Sequence, residues 1–187
     1  MADPSTAMAL SAARQQLVAS SPLLRQLPPP SRFVLRGGPQ VLVAAVDALG
    51  LPRSDSPCRA VRNEGRAALW LGPDERLVIG PADAAPEMGD ALQRALAGMA
   101  HSLVDISHAQ VAFEVSGPRA ATVLNTGCPL DLDQASFPID MCTRTVFAKA
   151  QIVLWRTGPQ MFRVETARSF TPYVTRILAL AARETPA

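Results

Sequence analysis

The chain has 187 residues, 48% of them hydrophobic and only 18% charged, with a formal net charge of +2. That length suits one ordinary domain or two small packed halves, and the apolar fraction excludes intrinsic disorder outside the ends. The cations are scattered arginines plus the one lysine, Lys149, which is not the basic, aromatic-rich stripe that nucleic-acid binding needs. No run approaches the roughly 20 apolar residues of a membrane span. Asp3 precedes any cation and no apolar stretch follows, so no secretory signal is read and a soluble, cytoplasmic chain is expected.

In chain order, residues Ala7 to Leu27 hold a short helical pattern that breaks at Ser20-Ser21-Pro22. Pro28-Pro29-Pro30 then forces an extended link, because each ring fixes φ and removes a donor. Residues 1–32 are therefore expected to form an arm outside the main fold. Strand Phe33–Arg36 follows, then the turn Gly37-Gly38-Pro39 and a helix through Val41, Ala45 and Leu49 that stops at Gly50. Strands are predicted near Cys58–Val61, over Ala67–Leu71 and over Arg76–Ile79. Asn63-Glu64-Gly65 and Gly72-Pro73-Asp74 are the turns between them. Met88, Leu92, Leu96 and Met99 share one helical face.

The same order returns. Leu103–Ile106 is a joining strand, and Val111–Val115 alternates apolar and polar residues as a half-buried strand does. Ser116-Gly117-Pro118 opens a helix carrying Ala121, Val123 and Leu124. Strands over Thr143–Ala148, Gln151–Trp155 and Met161–Val164 precede a last helix. That helix is predicted to bury Phe170, Tyr173, Val174, Ile177, Leu178 and Ala181 on one stripe. Phe33 matches Phe113, Gly37 matches Gly117, and Trp70 and Trp155 each precede a Gly-Pro turn, all at an offset of about 80 residues. The reading is an α+β fold: two pseudo-repeated β-α-β-β-α units, with antiparallel or mixed sheets and helices packed on their faces. Residues 33–100 and 101–183 are the halves of one compact domain, and 184–187 a tail.

Candidate chemistry is sparse. Asp105, Ser107 and His108 contain all three types of a hydrolytic triad. On a strand, however, Asp105 and Ser107 share a face that His108 leaves, so a strand end with Ser107 starting a turn is expected. His101 and His108 are the only histidines, too few for a metal site without fixed-spacing partners. Cys58, Cys128 and Cys142 lack Cys-x-x-Cys spacing and are expected to be reduced packing residues. The turns at Gly37 and Gly117 each precede a helix, where free N–H groups can take phosphate, but neither matches a dinucleotide or P-loop fingerprint. Trp70, Trp155 and Arg119 are core residues or partner anchors. No catalytic, cofactor-binding or metal-binding residue is assigned to this chain.

Several strings nevertheless resemble one family. They are Ala68-Leu-Trp-Leu-Gly-Pro-Asp-Glu75, Val104-Asp-Ile-Ser-His108, Phe113-Glu-Val-Ser-Gly-Pro-Arg-Ala120 and Gly127-Cys-Pro-Leu-Asp-Leu132. Phe137-Pro138, Ala148-Lys149-Ala150, Val153-Leu-Trp-Arg156, Arg168-Ser-Phe170 and the early Ser21-Pro22-Leu23 add to them. Together they resemble the sarcosine oxidase gamma subunit family across nearly the whole chain. From about Leu103 onward the chain is also similar to the folate-binding aminomethyltransferase fold of the glycine cleavage T-protein type, without carrying over a folate ligand. The resemblance implies a structural subunit assembled with alpha, beta and delta chains. It implies FAD, FMN, NAD and tetrahydrofolate in those partners, and none bound here. The complex would oxidise sarcosine to glycine, giving 5,10-methylenetetrahydrofolate or formaldehyde, and hydrogen peroxide. The alternatives are a folate-binding one-carbon transferase and the gamma subunit of a related N-methyl amine oxidase or dehydrogenase.

Overall fold

Among the described residues, inward–outward alternation and glycine turns give ten strands that pair into two five-stranded antiparallel sheets, each carrying two helices. The computed structural model describes residues 22–54 and 56–185. The helical pattern expected over residues 7–21 lies outside them. The chain divides into two units. Of the described residues, one contains 28–54, 56–110 and 140–144, the other 22–27, 111–139 and 145–185.

In the first unit, β2 (Ser31–Gly37), α1 (Pro39–Ala48), β3 (Ala60–Asn63), β4 (Arg66–Gly72), β5 (Glu75–Gly80), α2 (Ala85–Ala95) and β6 (His101–Asp105) follow in order. Glu64 and Gly65 at φ 46° and 78° make the tight β3–β4 turn, the conformation a two-residue hairpin favours. The sheet order is β3-β4-β5-β2-β6. Its centre, β5, is buried along its length. Phe33, Leu35, Ala68 and Val78 of the sheet pack with Val41, Leu42, Ala45 and Val46 of α1, with Met88 and Leu92 of α2 and with Leu96 just past its end. The helices come close because two glycines allow it. A Cβ at Gly80 would lie 2.1 Å from Met88 Sδ, and one at Gly37 would lie 2.6 Å from Val41 Cγ1. Met99, expected on the α2 stripe, falls beyond its end and is exposed, because Gly98 at φ 77° has already turned the chain away.

The second unit contains β1 (Leu24–Gln26), β7 (Gln110–Ser116, from Val111 on), α3 (Ala120–Asn125), β8 (Cys142–Phe147, from Thr145 on), β9 (Ala150–Gly158), β10 (Met161–Ala167) and α4 (Thr171–Glu184). Its sheet order is β1-β7-β10-β9-β8. Read from the opposite end this is the order of the first sheet, β8, β9, β10 and β7 standing where β3, β4, β5 and β2 stand. The fifth strands are exchanged in the chain. β1 precedes β2 but pairs with β7, while β6 precedes β7 but pairs with β2.

This corrects the reading of residues 22–27 as part of an arm outside the main fold. Leu24, Arg25 and Gln26 pair with Val115, Glu114 and Phe113, and Arg25 makes an ion pair with Glu114 at 3.1 Å. Three residues are too few for alternation to announce a strand; long-range pairing makes it one. The last helix is corrected too. Val174, Leu178 and Ala181 are buried as expected. The rest of its inner face is Thr171, Thr175, Ala179 and Ala182, whose small side chains let the helix lie close. Phe170, Tyr173 and Ile177 stand on the adjacent row and are exposed or half-buried.

Candidate functional site

The Asp105–His108 segment is the natural place to look for a nucleophile, and its geometry is that of a turn. β6 ends at Asp105. The Ser107 hydroxyl donates to Asp105 Oδ1 at 2.6 Å and the Ser107 amide donates to the same oxygen at 2.8 Å. These two bonds hold the Asp105 carboxyl below its ordinary range, the hydroxyl contributing most. A carboxylate so stabilised is a weak base. The Ser107 oxygen is also occupied from the other side, accepting the Arg32 amide at 3.0 Å. His108 is exposed on the surface. The hydroxyl thus sits buried between a donor and an acceptor of its own fold.

Arg32 explains the turn. Its side chain is fully buried, and Nη1 donates to the carbonyls of Ser107 at 3.2 Å and Gln110 at 3.1 Å. A charge can stand in such a place only when hydrogen-bonded. The guanidinium fixes the Ser107–Gln110 crossover from β6 into β7. Sequence reading missed it, since an arginine beside Phe33 carries no mark of burial.

The cysteines are packing residues. Cys58 is half-buried at φ 57°, and Cys128 and Cys142 are buried. Cys142 donates its S–H to the Trp70 carbonyl at 3.5 Å, and burial pushes its thiol up to about 12, far from thiolate chemistry. His101 Nδ1 lies 2.9 Å from the Met99 carbonyl oxygen. Among the described residues no group of three or more His, Cys, Asp or Glu side chains is placed to hold a metal ion.

The two glycine turns do not fit a pyrophosphate. At α1 the bare Cα of Gly37 is packed against Val41, which a Cβ there would strike. Gly117, at φ 110°, has Leu23 Cδ2 2.8 Å from where its Cβ would be, and α3 is only six residues long. Each glycine serves the chain's own packing. Arg119 donates to the Thr185 carbonyl, tying the start of α3 to the end of α4. Trp70 and Trp155 stand opposite Arg76 and Arg163 in their hairpins. Arg76 lies 5.7 Å over the Trp70 ring, and Trp155 is buried.

A second buried cation, Arg156, was also unmarked in the sequence. It lies 4.5 Å over the Phe162 ring and donates to the Pro159 and Leu132 carbonyls. Desolvation lowers its pKa, opposed by Asp133. In the first unit Glu75 is held by Arg144 at 2.6 Å and lies 4.0 Å from Arg36. These charged groups are joined to one another or to the backbone, so they position strands and loops. Among the described residues no helix is long and apolar enough to cross a membrane.

Comparison with known proteins agrees with the fold and supplies the family. The model of the sarcosine oxidase, gamma subunit family matches residues 37–184. The chain is 37% identical over 148 residues to sarcosine oxidase subunit gamma of Corynebacterium sp. (strain P-1), covering 79% of this chain and 71% of that one. It superposes with a TM-score of 0.86 and 29% identity on a chain of heterotetrameric sarcosine oxidase from Corynebacterium sp. U-96 in complex with pyrrole 2-carboxylate, covering 95% and 94% of the two chains. Aminomethyltransferase T of the Bartonella henselae glycine cleavage system is similar in fold alone, with a TM-score of 0.62, 15% identity, and coverage of 86% of this chain and 48% of that one. Two like-ordered antiparallel sheets, a serine locked into its own turn and a family match over most of the residues lead to one conclusion: this chain belongs to the sarcosine oxidase gamma subunit family.

Proposed function

We propose that this chain is a structural, non-catalytic subunit of a cytoplasmic heterotetrameric sarcosine oxidase, bracing larger alpha and beta chains alongside a delta chain. The observation that carries the reading is the superposition over 95% of this chain on a component of a heterotetrameric sarcosine oxidase. The Ser107 hydroxyl, held between Asp105 Oδ1 and the Arg32 amide, supports it, because this triad-like cluster already serves the fold. FAD, FMN, NAD and tetrahydrofolate then belong to the partner chains. The complex oxidises sarcosine to glycine, passing the methyl carbon to tetrahydrofolate or releasing it as formaldehyde, with hydrogen peroxide as the reduced product. The test is expression of this chain alone and together with the other three subunits. A flavin-coloured complex that contains the chain and consumes oxygen with sarcosine is expected, while the chain alone is colourless and inactive. Turnover of sarcosine by the isolated chain, or its failure to elute with the large subunits, overturns the reading.

A further inference from the structure

Helix α4 carries more apolar surface than its own sheet covers. Its inner face is the row through Val174, Leu178 and Ala182. One row over, Tyr173, Ile177 and Leu180 recur at i, i+4 and i+7, the spacing of a helix-packing seam. Tyr173 and Ile177 are half-buried, Leu180 is 40% exposed, and Phe170, just before the helix, is 44% exposed. A cleft of about 410 Å³ runs beside this row, floored by Ile177, Leu180 and Ala181 and walled by Thr122 of α3 and Thr126 just past its end.

The charges around the row select what lies on it. Arg176 and Arg183 are one helical turn on either side of Leu180 and exposed, and neither meets a carboxylate among the described residues. Lys149, whose amide donates to the Tyr173 hydroxyl at 3.3 Å, adds a third cation at the far end. Glu184 is the one carboxylate on the row. Three cations against one carboxylate make a second copy of this chain a poor occupant, because it presents the same excess of positive charge. From these observations we infer that the outward face of α4 docks an amphipathic helix of another subunit of the complex, apolar at the seam and acidic on its flanks. The inference rests on the subunit reading above and assigns it a surface.

The experiment uses tagged chain co-expressed with the other subunits, comparing wild type with Leu180→Asp, the double variant Arg176→Glu/Arg183→Glu, and the control Arg94→Glu in the last turn of α2. Leu180→Asp and the double reversal should each reduce co-elution by about tenfold or more. The control should leave it unchanged. Assembly of the wild type should weaken with added salt, and α4 amides should exchange more slowly in the complex. Thermal melts of the isolated variants should match wild type, since the altered side chains are exposed. Wild-type assembly with undiminished assembly of both variants overturns the surface and leaves the subunit reading standing. A wild type that fails to assemble overturns the subunit reading itself. If the isolated wild type is a dimer that Leu180→Asp dissociates, a second copy occupies the face and the inference falls.

Discussion

Helices α2 and α4 hold corresponding places in their units, each following a run of three strands, yet they divide their surfaces differently. On α2 every large apolar side chain faces inward; Met88 and Leu92 are buried, and the outer face is Glu87, Asp90, Gln93 and Arg94. On α4 the inward row is lined largely by alanine and threonine, while Tyr173, Ile177 and Leu180 are left on the next row. A helix that serves only its own sheet needs one apolar stripe. The second stripe on α4 marks a helix with an additional contact to make.

Four substitutions sharpen or break that contrast. The largest effect is expected at Leu92, whose side chain is fully buried between α1, α2 and the sheet. Leu92→Ala should destabilise the chain by about 2–5 kcal/mol, read as a shift in the urea midpoint at unchanged slope. Next is Gly80→Ala, which places a methyl group against Met88. It should cost about 1–3 kcal/mol through overpacking, and a melting temperature equal to wild type would mean that α2 rides more loosely than its packing indicates.

Smaller is Asp105→Asn at the end of β6, which keeps an oxygen for Ser107 but removes the charge. The carboxylate is exposed and screened, so the loss should be about 1 kcal/mol at most. The sign follows from the depressed pKa of the folded state. Stability from this group is fully present above the unfolded value near ~3.9 and is lost as pH falls through the lower folded value. The difference between wild type and Asp105→Asn should therefore be constant above about pH 5 and shrink below about pH 4. A difference unchanged at pH 3 would remove the charge from the explanation. The smallest effect is expected at Leu180. Leu180→Ala should move the isolated chain by within about 0.5 kcal/mol, and a loss comparable to Leu92→Ala would show that α4 has no spare face.

Much of this was written in local pattern. Phe113 and Val115 alternate with Glu114 as a half-buried strand requires, and Gly50 and Gly65 mark turns by needing positive φ, whereas the turn at Gly98 went unread. Ser107 was legible as a turn residue because its neighbours divide between two faces. What stayed hidden depends on distant partners. β1 is a strand only because Phe113–Val115 lies beside it. Arg32 and Arg156 look like surface cations until the carbonyls that receive them are brought near. On α4, apolar residues fill two adjacent rows, so periodicity alone does not choose the inward one. The small residues of the row Thr171, Thr175, Ala179 and Ala182 decide it by permitting close approach.

The exchange of β1 and β6 also sets a timetable for synthesis. Arg25 leaves the ribosome 89 residues before Glu114, its partner across the pair, so β1 must wait for that partner while β2 to β6 assemble. Translation closes the later-numbered sheet last and around its oldest strand, a non-local step of the kind that slows folding. Cutting the chain at residue 100 would leave each fragment holding an edge strand that belongs to the other.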